Sequence, residues 1–105
     1  MSVSTHVLDA VAGRPAAGMA VRLLAGDDVV AEGVTDADGR CRLTGEPTAG
    51  GPHRLVFATG PWSQAQGRDT FWPEVVLTFA VHEPAEHHHV PLLLSPFAYS
   101  TYRGS

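Results

Sequence analysis

Apolar and polar residues alternate along this chain in short runs that Gly, Pro and Asp cut apart. Period-two alternation bounded by such residues predicts strands. Val3 to Leu8 is the first, ended by Ala12-Gly13-Arg14-Pro15. Ala20 to Leu24 is the second, and Gly26-Asp27-Asp28 turns it into Val29 to Val34. Asp36-Ala37-Asp38-Gly39 is a tight turn, because Asp accepts local backbone bonds and Gly takes positive φ. Arg40 to Leu43 follows it as a short strand. Thr48 to Pro52 reads as a loop, and His53 to Thr59 as a strand that ends at Gly60-Pro61. Trp62 to Gly67 fits one short helix. Glu74 to Val81, Val90 to Leu94 and Tyr99 to Arg103 are the last strands, with Ser95-Pro96 between the final two. Seven or eight short strands without long helical periodicity indicate a β-sandwich.

At 105 residues the chain is expected to form one domain, residues 1–105, with one modest core. A net charge of −4 argues against nucleic-acid binding, which needs clustered cations. All seven basic residues are arginine, so Schiff-base lysine chemistry is excluded. Cys41 stands alone, which rules out an intrachain disulfide and suits a small buried side chain better than a nucleophile. No apolar run approaches the roughly 18 residues of a membrane span, so no membrane partner is expected. Met1 to His6 has neither the basic nor the apolar region of a signal peptide, and the expected location is cytoplasmic.

Candidate chemistry collects in the histidines and at the C-terminus. Six histidines occur, three of them consecutive: His87, His88 and His89. On a strand His87 and His89 share one face and His88 takes the other. Consecutive strand residues cannot converge on one ion, and no HExxH or paired cysteines are present, so a metal reading of Glu86 to His89 is weak. His6 in mid-strand and Arg40 after its turn are, each alone, ordinary packed or surface residues. Trp62, Phe71 and Trp72 suit a core or an interface better than a stacking platform. Ser105 has no GxSxG context. Termini usually fray, yet Tyr102-Arg103-Gly104-Ser105 continues an apolar and aromatic stretch. Sheet pairing to the last residue would hold a cation, a hydroxyl and a carboxylate in fixed positions.

Taken together, several stretches resemble the transthyretin-like family in its enzymatic branch, the 5-hydroxyisourate hydrolases. They are Ser4 to Asp9, Gly13 to Ala16 with Gly18, Thr35 to Arg40, Phe71 to Val75, and His87 to Pro96 closed by Tyr99 to Ser105. The resemblance implies a sandwich of two antiparallel four-stranded sheets with one short helix. It implies hydrolytic opening of 5-hydroxyisourate in urate catabolism, to 2-oxo-4-hydroxy-4-carboxy-5-ureidoimidazoline. It places the catalytic groups on His6, Arg40 and His89, and substrate binding on Tyr102, Arg103, Gly104 and Ser105. No metal or other cofactor is implied. It further implies a homotetramer with sites at a subunit interface. Many family members carry an aromatic residue where this chain has His88, which should face away from His89. The rival readings are a non-catalytic small-molecule binding protein of transthyretin type and a His-rich metal-binding sandwich.

Overall fold

The computed structural model describes residues 1–46 and 49–105. Ten strand segments and one helix follow in the order β1 (Ser2–Asp9), β2 (Arg14–Pro15), β3 (Ala20–Ala25), β4 (Asp28–Val34), β5 (Arg40–Thr44), β6 (Gly51–Phe57), α1 (Thr59–Ala65), β7 (Val75–Val81), β8 (His87–His89), β9 (Leu92–Leu94) and β10 (Tyr99–Thr101). They form an all-β sandwich of two sheets, as the alternation predicts. One sheet is antiparallel throughout, in the order β4-β3-β6-β7.

The other sheet has six segments arranged on four lanes. β1 is central. On one flank β5 pairs with Ser2 to His6, and β2 continues that lane opposite Leu8 and Asp9. On the other flank β8 and β9 both run parallel to β1, and β10 closes the edge antiparallel to β9. This parallel lane is the point where pairing departs from the expected antiparallel pattern. β8 and β9 keep one register: Ser2 faces His87 and Val7 faces Leu92.

The expected strand Val90 to Leu94 is interrupted at Val90-Pro91 for a definite reason. Pro91 has no N–H to give the ladder. The Val90 amide still donates to the Ser4 carbonyl at 2.8 Å, and the Val90 carbonyl accepts the Thr5 hydroxyl at 2.6 Å. The same proline interrupts the last strand, expected to run to Arg103. After β10, Gly104 returns to the identical antiparallel register opposite His89, its amide donating to the His89 carbonyl at 2.9 Å. The C-terminus is thus tied to the sheet.

The expected loop from Thr48 to Pro52 is divided: Thr48 lies outside the described residues, and Gly51 and Pro52 already belong to β6. The helix begins at Thr59 rather than Trp62, because Pro61 is tolerated in a first turn where amides lack helical partners anyway. Trp62 is buried, and its indole N–H donates to the Ala17 carbonyl at 2.8 Å.

Inner faces of the sheets meet in one core of Val3, Val7, Leu43 and Leu92 against Leu23, Leu55, Phe57 and Val75. Along β1 burial alternates strictly, with Val3, Thr5, Val7 and Asp9 inside. Ser2, Ser4, His6 and Leu8 therefore lie on the outer face, only half-buried. Among the described residues no helix is long and apolar enough to cross a membrane.

Candidate active site on the outer face of the mixed sheet

Strand register assembles the site. In the β1–β5 pair His6 is directly opposite Arg40. In the β1–β8 pair Ser4 is directly opposite His89. Side chains so placed lie on one face with Cβ atoms about 4.5–5.5 Å apart in an antiparallel pair. His6, Arg40 and His89 therefore converge from three adjacent lanes.

Arg40 is delivered by the Asp36–Gly39 turn. The Asp36 carboxylate accepts the Asp38 amide at 2.9 Å and the Arg40 amide at 3.0 Å. Gly39 has φ +75°, and a side chain there would come 2.5 Å from the Val7 carbonyl oxygen. Its own carbonyl accepts the Val7 amide at 2.8 Å, which docks the turn onto β1 beside His6. Only glycine serves at this position.

His89 is held by Ser4, whose hydroxyl lies 2.7 Å from the His89 Nδ1. The same hydroxyl is 2.8 Å from the Nε2 of His87, and the Ser2 hydroxyl is 2.7 Å from the His87 Nδ1. Partial burial and the positive charge of Arg40 push the His89 imidazole below its ordinary pKa of 6.5, with His6 adding to the effect. A main-chain hydrogen bond at Ser4 pulls the other way. Near pH 7 His89 therefore favours its neutral form.

The chain end completes the arrangement unevenly. Gly104 lies directly under the His89 ring: a Cβ there would meet the ring Cδ2 at 2.3 Å. Tyr102 is 60% exposed, and Ser105 is exposed. Arg103 reaches Glu86 across 4.0 Å rather than the His6–Arg40 pair. His88 faces away from His89, as alternation requires, buried near the Phe79 ring with centroids 6.3 Å apart. Among the described residues no group of three His, Cys, Asp or Glu is placed to hold a metal ion.

A groove of about 460 Å³ at the sheet rim is lined by Phe79, His88, His89, Tyr102 and Arg103. It touches His89 from one side but leaves out His6 and Arg40, whose face is open. Ser4 is the site residue that a reading of motifs passes over. Its signal is the two-residue spacing from His6, which puts both on one face.

A family model described as HIUase/Transthyretin family matches residues 3–104. The chain belongs to this family. It is 48% identical to a 5-hydroxyisourate hydrolase of Caulobacter vibrioides, over 98% of this chain and 97% of that protein. Its structure matches that of Klebsiella pneumoniae 5-hydroxyisourate hydrolase with a TM-score of 0.90 and 35% identity, covering 100% of both chains. It also matches the structure of sea bream transthyretin in complex with thyroxine, with a TM-score of 0.86 and 33% identity, over 97% of this chain and 93% of that one. The expected transthyretin-like sandwich is therefore the fold of this chain.

Proposed function

We infer that residues 1–105 form one hydrolase domain that opens the ring of 5-hydroxyisourate in urate degradation. Similarity over nearly the whole chain to hydrolases, at 48% and 35% identity in the two reported above, supports the activity. The observation that carries the site assignment is the register that sets His6 opposite Arg40 and Ser4 opposite His89 on one open face.

The chemistry follows from the groups present. Neutral His89 takes a proton from water through Nε2, with His6 helping to place that water. The hydroxide attacks a ring carbonyl, and charge grows on its oxygen. The Arg40 guanidinium, fixed by the turn before it, binds and stabilises that oxygen. The amide C–N bond then breaks, and the proton held by His89 passes to the leaving nitrogen, so the catalyst returns to its starting state. Tyr102, Arg103, Gly104 and Ser105 form the substrate-binding edge. No step requires a metal, another cofactor or a covalent intermediate.

The open face of one chain suits closure by a second copy. Homotetramers with two-fold related sites at an interface fit that need, because the core of a single small sandwich leaves no room for an internal pocket. A cytoplasmic setting belongs to this reading, and the single buried thiol of Cys41 is compatible with a reducing compartment.

The fold is shared with a thyroxine-bound transthyretin, so a binding protein without turnover is the alternative. The two separate in one assay. 5-Hydroxyisourate is made in situ from urate by urate oxidase, and its ultraviolet decay is followed with and without this protein. Decay accelerated by a catalytic amount supports the hydrolase. Decay at the spontaneous rate from folded protein overturns it.

A further inference from the structure

His87 lies outside the His6, Arg40 and His89 set, yet both of its ring nitrogens are engaged. Its Nδ1 is 2.7 Å from the Ser2 hydroxyl and its Nε2 is 2.8 Å from the Ser4 hydroxyl. Ser4 in turn lies 2.7 Å from the His89 Nδ1. Four side chains thus form one continuous line, Ser2–His87–Ser4–His89, along the outer face. The parallel register of β1 and β8 builds it, since Ser2 faces His87 and Ser4 faces His89.

A hydroxyl has one proton to donate and lone pairs to accept with. Ser4 can donate to only one of the two imidazoles, and when it does so it accepts from the other. With Ser4 acting as donor and acceptor at once, the line has two self-consistent states. In the first, the His89 Nδ1–H donates to Ser4, Ser4 donates to the His87 Nε2, and the His87 Nδ1–H donates to Ser2. The His89 Nε2 then carries a lone pair. In the second, every donor is reversed and the His89 Nε2 carries the proton. Passing from the first state to the second brings one proton in at the His89 Nε2 and releases one at the His87 Nδ1 beside Ser2.

We propose that His87, held between Ser2 and Ser4, is a proton-relay residue that sets the tautomer of His89 and exchanges its proton with solvent. The proposal rests on the reading of His89 as the base. His87 is exposed, so the outer end of the line opens to water. The charged and titratable neighbours are Arg42 on β5, with His88 and His89 on its own strand. Partial burial and then Arg42 lower the His87 pKa from 6.5, with smaller contributions from His89 and His88. His87 is thereby neutral near pH 7, the form a relay needs.

The test compares the 105-residue wild type, His87→Gln and His89→Ala in dilute non-imidazole buffer, after subtraction of the uncatalysed decay. Glutamine can still bond Ser4 but cannot exchange a proton between two ring nitrogens. The expected result for His87→Gln is a kcat about tenfold lower, below the typical 10²–10⁴ of a group that touches substrate. KM and melting temperature stay unchanged, and added imidazole restores kcat. Unchanged kcat in His87→Gln, with His89→Ala inactive, overturns the relay and leaves His89 as the base. A loss that imidazole does not restore also overturns it, because His87 then only props Ser4. Full kcat in His89→Ala removes the base and the relay together.

Discussion

Replacing Gly104 by alanine tests whether the chain end positions the His89 ring. The added Cβ would sit 2.3 Å from the ring Cδ2, against an ordinary contact of at least 3.4 Å. The difference, 3.4 − 2.3, means that one of the two must move by about 1 Å. Either the imidazole swings away from Ser4, breaking a 2.7 Å hydrogen bond, or the terminal segment lifts and loses the 2.9 Å bond from the Gly104 amide to the His89 carbonyl. A misplacement of about 1 Å costs on the order of 10²-fold in rate. Stability should fall by no more than about 1–3 kcal/mol, the usual scale of overpacking, because the clash is confined to one Cβ against the edge of a half-buried ring. The assay is kcat for 5-hydroxyisourate decay, read beside a thermal melt. A Gly104→Ala protein with wild-type kcat and an unaltered melt refutes the coupling of the terminal segment to His89.

Other perturbations follow from the same geometry. Arg40→Gln should lower kcat by about 10²–10³-fold, as loss of a charge-stabilising donor does. It should also shift the acid limb of kcat/KM. Partial burial and then Arg40 lower the His89 pKa from 6.5, so wild-type activity falls only below that value. Removing the charge raises the pKa and moves the limb to higher pH; an unmoved or lower limb in a pH–rate profile contradicts the coupling. Thr35→Val should cost about 2 kcal/mol in denaturant unfolding. The buried hydroxyl donates to the Ala16 carbonyl at 2.7 Å and accepts the Met19 amide at 2.9 Å, and valine orphans both.

Much of the site was legible because period two assigns faces. Alternation in Val3 to Leu8 puts His6 on the face away from Val3 and Val7, and alternation through the three histidines parts His88 from its neighbours. The Asp36–Gly39 turn was legible from Asp and Gly chemistry alone, and with it the placing of Arg40 at a strand start. Pairing was not. Alternation carries no information on which strand lies beside which. Ser4 therefore meets His89 only through a parallel lane joined across 85 residues. The break at Val90-Pro91 was hidden because Leu92 to Leu94 reads as a continuation. Only the folded sheet shows Thr5 taking the carbonyl that the ladder leaves. β2 is just two residues long, shorter than any period can reveal. In the sequence Gly104 is only one member of a terminal tetrapeptide, whereas its contact is long-range, with the His89 ring. The function itself rested on the resemblance, since strand spacing alone stops at a β-sandwich.

The measurement that tests the central claim most directly is kcat for 5-hydroxyisourate with wild type and His89→Ala, each matched for melting temperature. The account predicts turnover by wild type and a loss of about 10²–10⁴-fold in the variant, the range of a positioned general base. Equal kcat in the two proteins would contradict the site, and no turnover by folded wild type would contradict the hydrolase.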